Sequence, residues 1–192
     1  RAFWIPEGIK AKLYHRGLPL AQREYDVYEM GRRYDKYHMV LQDMKNEGAI
    51  NQLLTSNLTN DGTLSSAMSV SIDDFYDNIS RYKVMICFPQ CDTNPRRAGD
   101  IETLTQRYWE AMLSGCLMVG RAPKELVDLI GYNPVVDVDW SDAAGQMKSI
   151  LGHIADYQPL VDRNLQVAKE YADWSKRMPL IIKILEEAGY KV

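Results

Sequence analysis

Glu102 and Glu110 stand with seven residues between them in the run ETLTQRYWEAMLSGC, residues 102–116. The segment YWEAMLSG has helix-forming composition, ends at Gly115, and leads into a short apolar strand, Leu117 to Gly120. The start of a helix offers unpaired N–H groups and the positive end of a dipole, which suits a diphosphate. With both glutamates helical, Glu110 would lie about 12 Å along the axis from Glu102. One end of such a helix can hold phosphate while a carboxylate farther in accepts hydrogen bonds from a ribose diol, a use of acidic side chains seen in dinucleotide sites. Two glutamates at this spacing occur by chance on many solvated helices. The apolar strand ahead of the block, and the small-residue helix end with a strand behind it, lift it well above that background.

The elements that must position this block alternate along the chain. Phe3 to Gly8 is an apolar run broken by Pro6 and Gly8, and residues 9–24 are mixed, basic and connector-like. Tyr25 to Met30 alternates as a strand and stops at Gly31. A helix follows with Tyr37, Val40, Leu41 and Met44 on one face and closes at Gly48. Residues 51–54 read as a short strand, and the Asn/Thr/Ser/Gly stretch 55–66 reads as loop. Ser71 is placed to cap a helix running to Tyr82, with Asp73 and Asp74 in its first turn. Lys83 to Phe88 is nearly continuous in apolar residues, as a strand buried on both faces should be. A polar loop, 90–100, then precedes a helix over 102–114, a strand over 117–120, a helix over 123–131 with Pro123 at its first position, and a strand over 134–138. Three further helices are expected over 142–156, 159–173 and 177–188. This alternation predicts an α/β fold, an open, Rossmann-like parallel sheet with helices on both faces. Ligands of such sheets bind beyond the carboxyl ends of the strands, here 31–36, 89–103 and 120–124.

The remaining composition narrows the function. At 192 residues, 46% hydrophobic and with a formal charge of −3, the chain can bury one sizeable core and lacks the basic excess of a nucleic-acid-binding surface. Apolar runs such as Val84–Phe88 are too short to span a bilayer. Cys87, Cys91 and Cys116 form no paired motif, so free thiols in a reducing, cytoplasmic compartment are expected. The sequons at Asn57 and Asn78 carry meaning only in a secreted protein. His15, His38 and His153 are scattered and read as surface residues; Arg96 and Arg97 could reach a diphosphate or form a solvated loop pair. Asp137 and Asp139, around the 134–138 strand, could suggest a metal site but are one lone pair of acids. The absence of G-x-G-x-x-G after the first strand disfavours a dehydrogenase. Asp26 lies inside that strand rather than at its end, which disfavours a phosphoacceptor domain.

Three stretches together resemble the donor half of retaining glycosyltransferases of the GT-B fold, over most of the chain from Trp4 to about Trp174. Glu110-Ala111-Met112-Leu113-Ser114-Gly115 is similar to the block that closes the family's E-x7-E signature. Ile5-Pro6-Glu7-Gly8-Ile9 looks like the hinge where the acceptor domain ends, so residues 1–24 are expected to be an interdomain connector and 25–192 the nucleotide-sugar-binding domain. Gly31-Arg32 resembles the step whose arginine contacts the donor diphosphate. The CgeB-like subgroup, in which an arginine precedes an aromatic pair and the glutamate, is the one that Arg107-Tyr108-Trp109-Glu110 most resembles.

The resemblance implies catalytic roles for Glu102, beside the donor hexose, and Arg32, on the diphosphate. It implies substrate binding by Glu110 through the ribose, by Arg33 or Lys36 as the second cation, and by Thr103, Leu104, Thr105 and Arg107. Thr105 stands where family members often carry glycine, and its hydroxyl or Arg107 would supply replacement donors. The implied substrate is a nucleotide-diphosphate sugar with no cofactor and no metal, and the implied partner an N-terminal acceptor-binding domain outside these residues. Trp4, Trp174 and Leu180 are expected on the surface that domain would cover. A non-catalytic nucleotide- or sugar-phosphate-binding module is the alternative that the same residues allow.

Overall fold

The computed structural model describes residues 3–29, 31, 33–55 and 72–191. Among these, five strands form one parallel sheet: β1 (Tyr25–Glu29), β2 (Leu53–Thr55), β3 (Tyr82–Cys87), β4 (Leu117–Gly120) and β5 (Val136–Asp137), in the order β2-β1-β3-β4-β5. Val27 faces both Leu53 and Val84 across the ladders, Val84 faces Leu117, and Val119 faces Val136. The chain leaves β1 toward one edge and returns through β3 on the other side, so the switch point lies between the ends of β1 and β3.

The helices are α1 (Asp35–Asn46), α2 (Ile72–Ile79), the one-turn α3 (Gln90–Thr93) and α4 (Pro95–Ala98), α5 (Gln106–Leu113), α6 (Lys124–Ile130), α7 (Ala143–Gly152), α8 (Gln158–Tyr171) and α9 (Met178–Glu187). Side chains of the central strands alternate between two cores, as the two-residue repeat of a strand demands. Tyr28, Met85, Cys87 and Met118 pack with Trp109 and Met112 of α5, Leu126 of α6 and Ala168 of α8. Val27, Val84, Ile86, Leu117 and Val119 pack with Tyr37, Leu41 and Met44 of α1 and Met147 and Ile150 of α7. The α/β class and the parallel sheet covered on both faces agree with the alternation read from the sequence.

Several boundaries move, each for an identifiable reason. The segment 90–100 contains the two helical turns α3 and α4 rather than open loop. The expected 102–114 helix begins only at Gln106, because residues 102–104 bond elsewhere: Leu104 donates its N–H to Glu125 at 2.5 Å, and Glu102 accepts the Lys124 N–H at 2.8 Å. Pro123 is the N-cap of α6 rather than its first residue. The expected 142–156 helix breaks at His153 into α7 and a 3-10 turn. The helix expected to reach Tyr82 ends at Ile79, since Tyr82 already pairs with Tyr25 in the sheet. Ser71 and most of the 55–66 loop lie outside the described residues.

The first segment is stitched onto this body. Ile9 exchanges backbone bonds with Ala172 and Trp174, and Trp109 donates its indole N–H to the Glu7 carbonyl at 2.9 Å. Arg23, only 5% exposed, donates to the carbonyls of Leu18, Tyr82 and Ser114. Trp4, Trp174 and Leu180 are exposed, and so are Phe3, Met178 and Ile182.

Candidate functional site

The first turn of α5 lies against the end of β1. Gly31 follows β1 with φ +69°, and the Arg107 guanidinium occupies the space its side chain would need: a Cβ there would fall 2.2 Å from Nη2. A left-handed backbone and a guanidinium so close both call for glycine. Gly120, at the end of β4, answers a similar demand, since a Cβ would fall 1.9 Å from the Cys87 carbonyl oxygen. Arg107 and Glu110 are three apart on α5 and so share one face.

Glu110 is half-buried and accepts the Tyr14 hydroxyl at 2.9 Å. Burial raises its pKa, while the Tyr14 bond and the charge of Arg107 oppose the rise. The Tyr14 phenol is itself pushed upward, first by burial and then by the charge of Glu110. Tyr14 also meets Tyr76 of α2 edge-on, which steadies its ring. A carboxylate held this way keeps acceptor capacity for hydroxyl donors, because each oxygen has two lone pairs.

Glu102 lies in the extended run before α5, not on the helix, so the expected 12 Å helical spacing does not exist. Its Oε1 accepts from Arg121 at 2.6 Å and its Oε2 from the Lys124 N–H, which holds its pKa down, the Arg121 bond being the larger cause. Arg121, just beyond β4, also grips Asp92 with two nitrogens, at 2.7 and 2.8 Å, and Cys91 Sγ at 3.3 Å. Arg121 thereby ties the α3 turn to the 102–105 loop, and Glu102 carries the link on to the start of α6. An open cleft of about 580 Å³ lies beside that loop, lined by Trp4, Glu102, Thr103, Leu104 and Thr105 among others.

The other candidates separate. Leu104 is buried, Thr103 is exposed, and Thr105 is the N-cap of α5 without a side-chain capping bond. Arg33 points at α1, its Nη1 3.4 Å from His38 Nε2. Lys36 leans over the Trp140 ring at 4.1 Å. Arg32 lies outside the described residues. Arg96 and Arg97 are exposed on α4. Asp139 closes a turn on Ser141, and among the described residues no group of His, Cys, Asp and Glu is arranged to hold a metal ion. Asp26 pairs with Lys83 at 2.6 Å and accepts from the Asn51 N–H, a link between neighbouring strands.

Sequence reasoning passed over Tyr14 and Arg121 and read His38 as a surface residue. His38 is instead mostly enclosed, its side chain 16% exposed and paired with Glu29. Arg121 carried a usable signal, a cation directly after a strand in a parallel sheet. Tyr14 carried none, being 96 residues from Glu110 in a basic connector.

No family model matches this sequence, and no curated protein matches it. Solved structures do. AviGT4, a glycosyltransferase involved in avilamycin A biosynthesis, superposes over 92% of this chain with a TM-score of 0.53 at 17% identity. The pneumococcal O-GlcNAc transferase GtfA, solved with UDP and GlcNAc, covers 97% of this chain with a TM-score of 0.49 at 11% identity. The chain spans 58% of the first protein and 39% of the second. The likeness to AviGT4 is one of fold: both share a Rossmann-like parallel sheet flanked by helices. Among the described residues no helix is long and apolar enough to cross a membrane.

Proposed function

We propose that this chain is the donor-binding domain of a retaining glycosyltransferase of the GT-B kind, CgeB-like in its signature, and that it binds a nucleotide-diphosphate sugar at the carboxyl edge of the sheet. The observation that carries the reading is the placement of Arg107 and Glu110 on one face of α5, with Arg107 packed on Gly31 at the end of β1. A guanidinium, a helix start and a carboxylate then lie in the order that phosphate and ribose require. The fold shared with AviGT4 supports the class of reaction.

In this reading Glu110 accepts the ribose hydroxyls with the capacity that Tyr14 leaves it. Arg107, Arg32 and Arg33 stabilise the departing diphosphate, and catalysis is largely electrostatic. The acceptor hydroxyl attacks on the face from which the diphosphate leaves. Glu102 meets the hexosyl group through lone pairs not used by Arg121 and the Lys124 amide. The acceptor site belongs to a second domain, in keeping with the 58% of AviGT4 that this chain spans. The exposed apolar residues Trp4, Trp174 and Leu180 suit the surface facing it.

The same coverage favours one second reading, a module that binds nucleotide or sugar phosphate without turnover. Thermal shift against UDP, GDP, dTDP, ADP and CMP tests the ligand class shared by both. A ligand specific for the folded state, at about 100 times its Kd, adds about 2.7 kcal/mol. One or more of the diphosphates should raise Tm; no response to any of them would end the donor-domain reading. Sugar transfer then separates a transferase from a binding module, and it requires the acceptor domain.

A further inference from the structure

We infer, on the premise of that donor-site reading, that Glu29 and His38 form a buried relay that orients Arg33 as a diphosphate-binding cation. Glu29 ends β1 and is 1% exposed. Its Oε2 lies 2.5 Å from His38 Nδ1, in the first turn of α1, and His38 Nε2 lies 3.4 Å from Arg33 Nη1. The chain from buried carboxylate to imidazole to guanidinium therefore runs outward, from the core to the turn that leaves β1.

The chemistry of the three groups fixes their roles. An ionised carboxylate only accepts, so His38 carries its proton on Nδ1 and donates it to Glu29. In that tautomer Nε2 offers a lone pair, which accepts from Arg33 Nη1–H. At 3.4 Å that contact is at the long end for a hydrogen bond. A buried charge needs compensation, and Arg33 supplies it through the ring.

Stability does not explain the cluster. Glu29 Oε1, Arg33 Nε and the Tyr37 hydroxyl are all buried without a hydrogen-bond partner among the described residues. Burial raises the Tyr37 pKa, and the charge of Glu29 raises it further, so this phenol feels the carboxylate without being bonded to it. Leaving such groups unsatisfied is costly, and places where it persists are often functional. Arg33 retains donors beyond the one used by His38, and it stands two residues after Gly31 at the strand end where doubly wound sheets bind phosphate. Lys36, the competing cation, is drawn to Trp140 instead. Arg33 contacts the ligand in this assignment; Glu29 and His38 are positioning residues.

The test is calorimetry on the 192-residue chain with uridine and UDP, or with the nucleoside and diphosphate of whichever base the panel selects. The readout is the preference for diphosphate over nucleoside. His38→Leu should cut that preference about tenfold with little change in nucleoside affinity, the loss expected for one hydrogen bond to a charged group. His38→Gln, whose amide can donate to Glu29 and accept from Arg33, should retain most of it. Arg33→Ala should abolish the same portion, and adding His38→Leu to it should cost nothing more. Equal losses for nucleoside and diphosphate in His38→Leu, or an undiminished further loss in the Arg33→Ala background, would overturn the relay. Should His38→Leu not fold, Arg33→Ala and His38→Gln decide: an unchanged preference in the first, or its loss in the second, also overturns it. A wild-type chain that binds none of the diphosphates removes the donor-site reading itself, a different failure.

Discussion

Replacing Tyr14 with Phe removes one hydroxyl and leaves the ring that packs against Tyr76. That hydroxyl donates to Glu110 at 2.9 Å. A hydrogen bond to a charged group contributes about 1.5–3 kcal/mol, and the half-buried setting places this one toward the middle of that range. In a chain of 192 residues about 2 kcal/mol corresponds to a Tm loss of about 4–8 °C. The pH dependence identifies the partner. Burial raises the Glu110 pKa above its unfolded value, so its contribution favours the fold at acid pH and is lost as pH rises through the folded value. The Tyr14 bond opposes that rise by favouring the ionised form. Tyr14→Phe should therefore cost more as pH rises and the ionised share of Glu110 grows, and least near about pH 4, where the carboxyl is largely protonated. Differential scanning fluorimetry of both proteins across that range measures it. A Tm deficit independent of pH, or no deficit at any pH, would show that Tyr14 does not hold the Glu110 carboxylate.

Two further substitutions probe the frame around the site. Gly31→Ala places a side chain on a left-handed residue, costing about 1–2 kcal/mol, and displaces the Arg107 guanidinium. It should lower Tm and weaken nucleoside diphosphate binding more than nucleoside binding; equal weakening would detach Arg107 from the phosphates. Arg121→Ala leaves Asp92 and Glu102 without their shared cation, so limited proteolysis should open the chain between 90 and 105 while the rest stays resistant. An unchanged cleavage pattern would mean that Arg121 does not tie these segments.

The parallel sheet was legible because β3 and β4 are nearly continuous apolar runs and helices alternate with the strands. The positions of Gly31 past a strand end and of Arg107 and Glu110 on one helix were legible because a strand end and a helix start are local features. Glu102 was misplaced because helix periodicity says nothing about bonds to a distant partner: Arg121 and the Lys124 amide pull it out of the helix that its neighbours form. Tyr14 and His38 belong to the same class. A tyrosine in a connector and a histidine on an amphipathic helix acquire roles only when the fold brings Glu110 and Glu29 to them.

The central claim is that Glu110 reads the ribose of a nucleoside diphosphate. The direct measurement is isothermal titration of the wild-type chain and of Glu110→Ala with the diphosphate that the thermal panel selects, each checked for folding by circular dichroism. Glu110→Ala should weaken binding by about 1–3 kcal/mol, the cost of leaving hydrogen-bonding groups unmatched, while the fold is kept. Affinity unchanged in a folded Glu110→Ala protein would contradict the account.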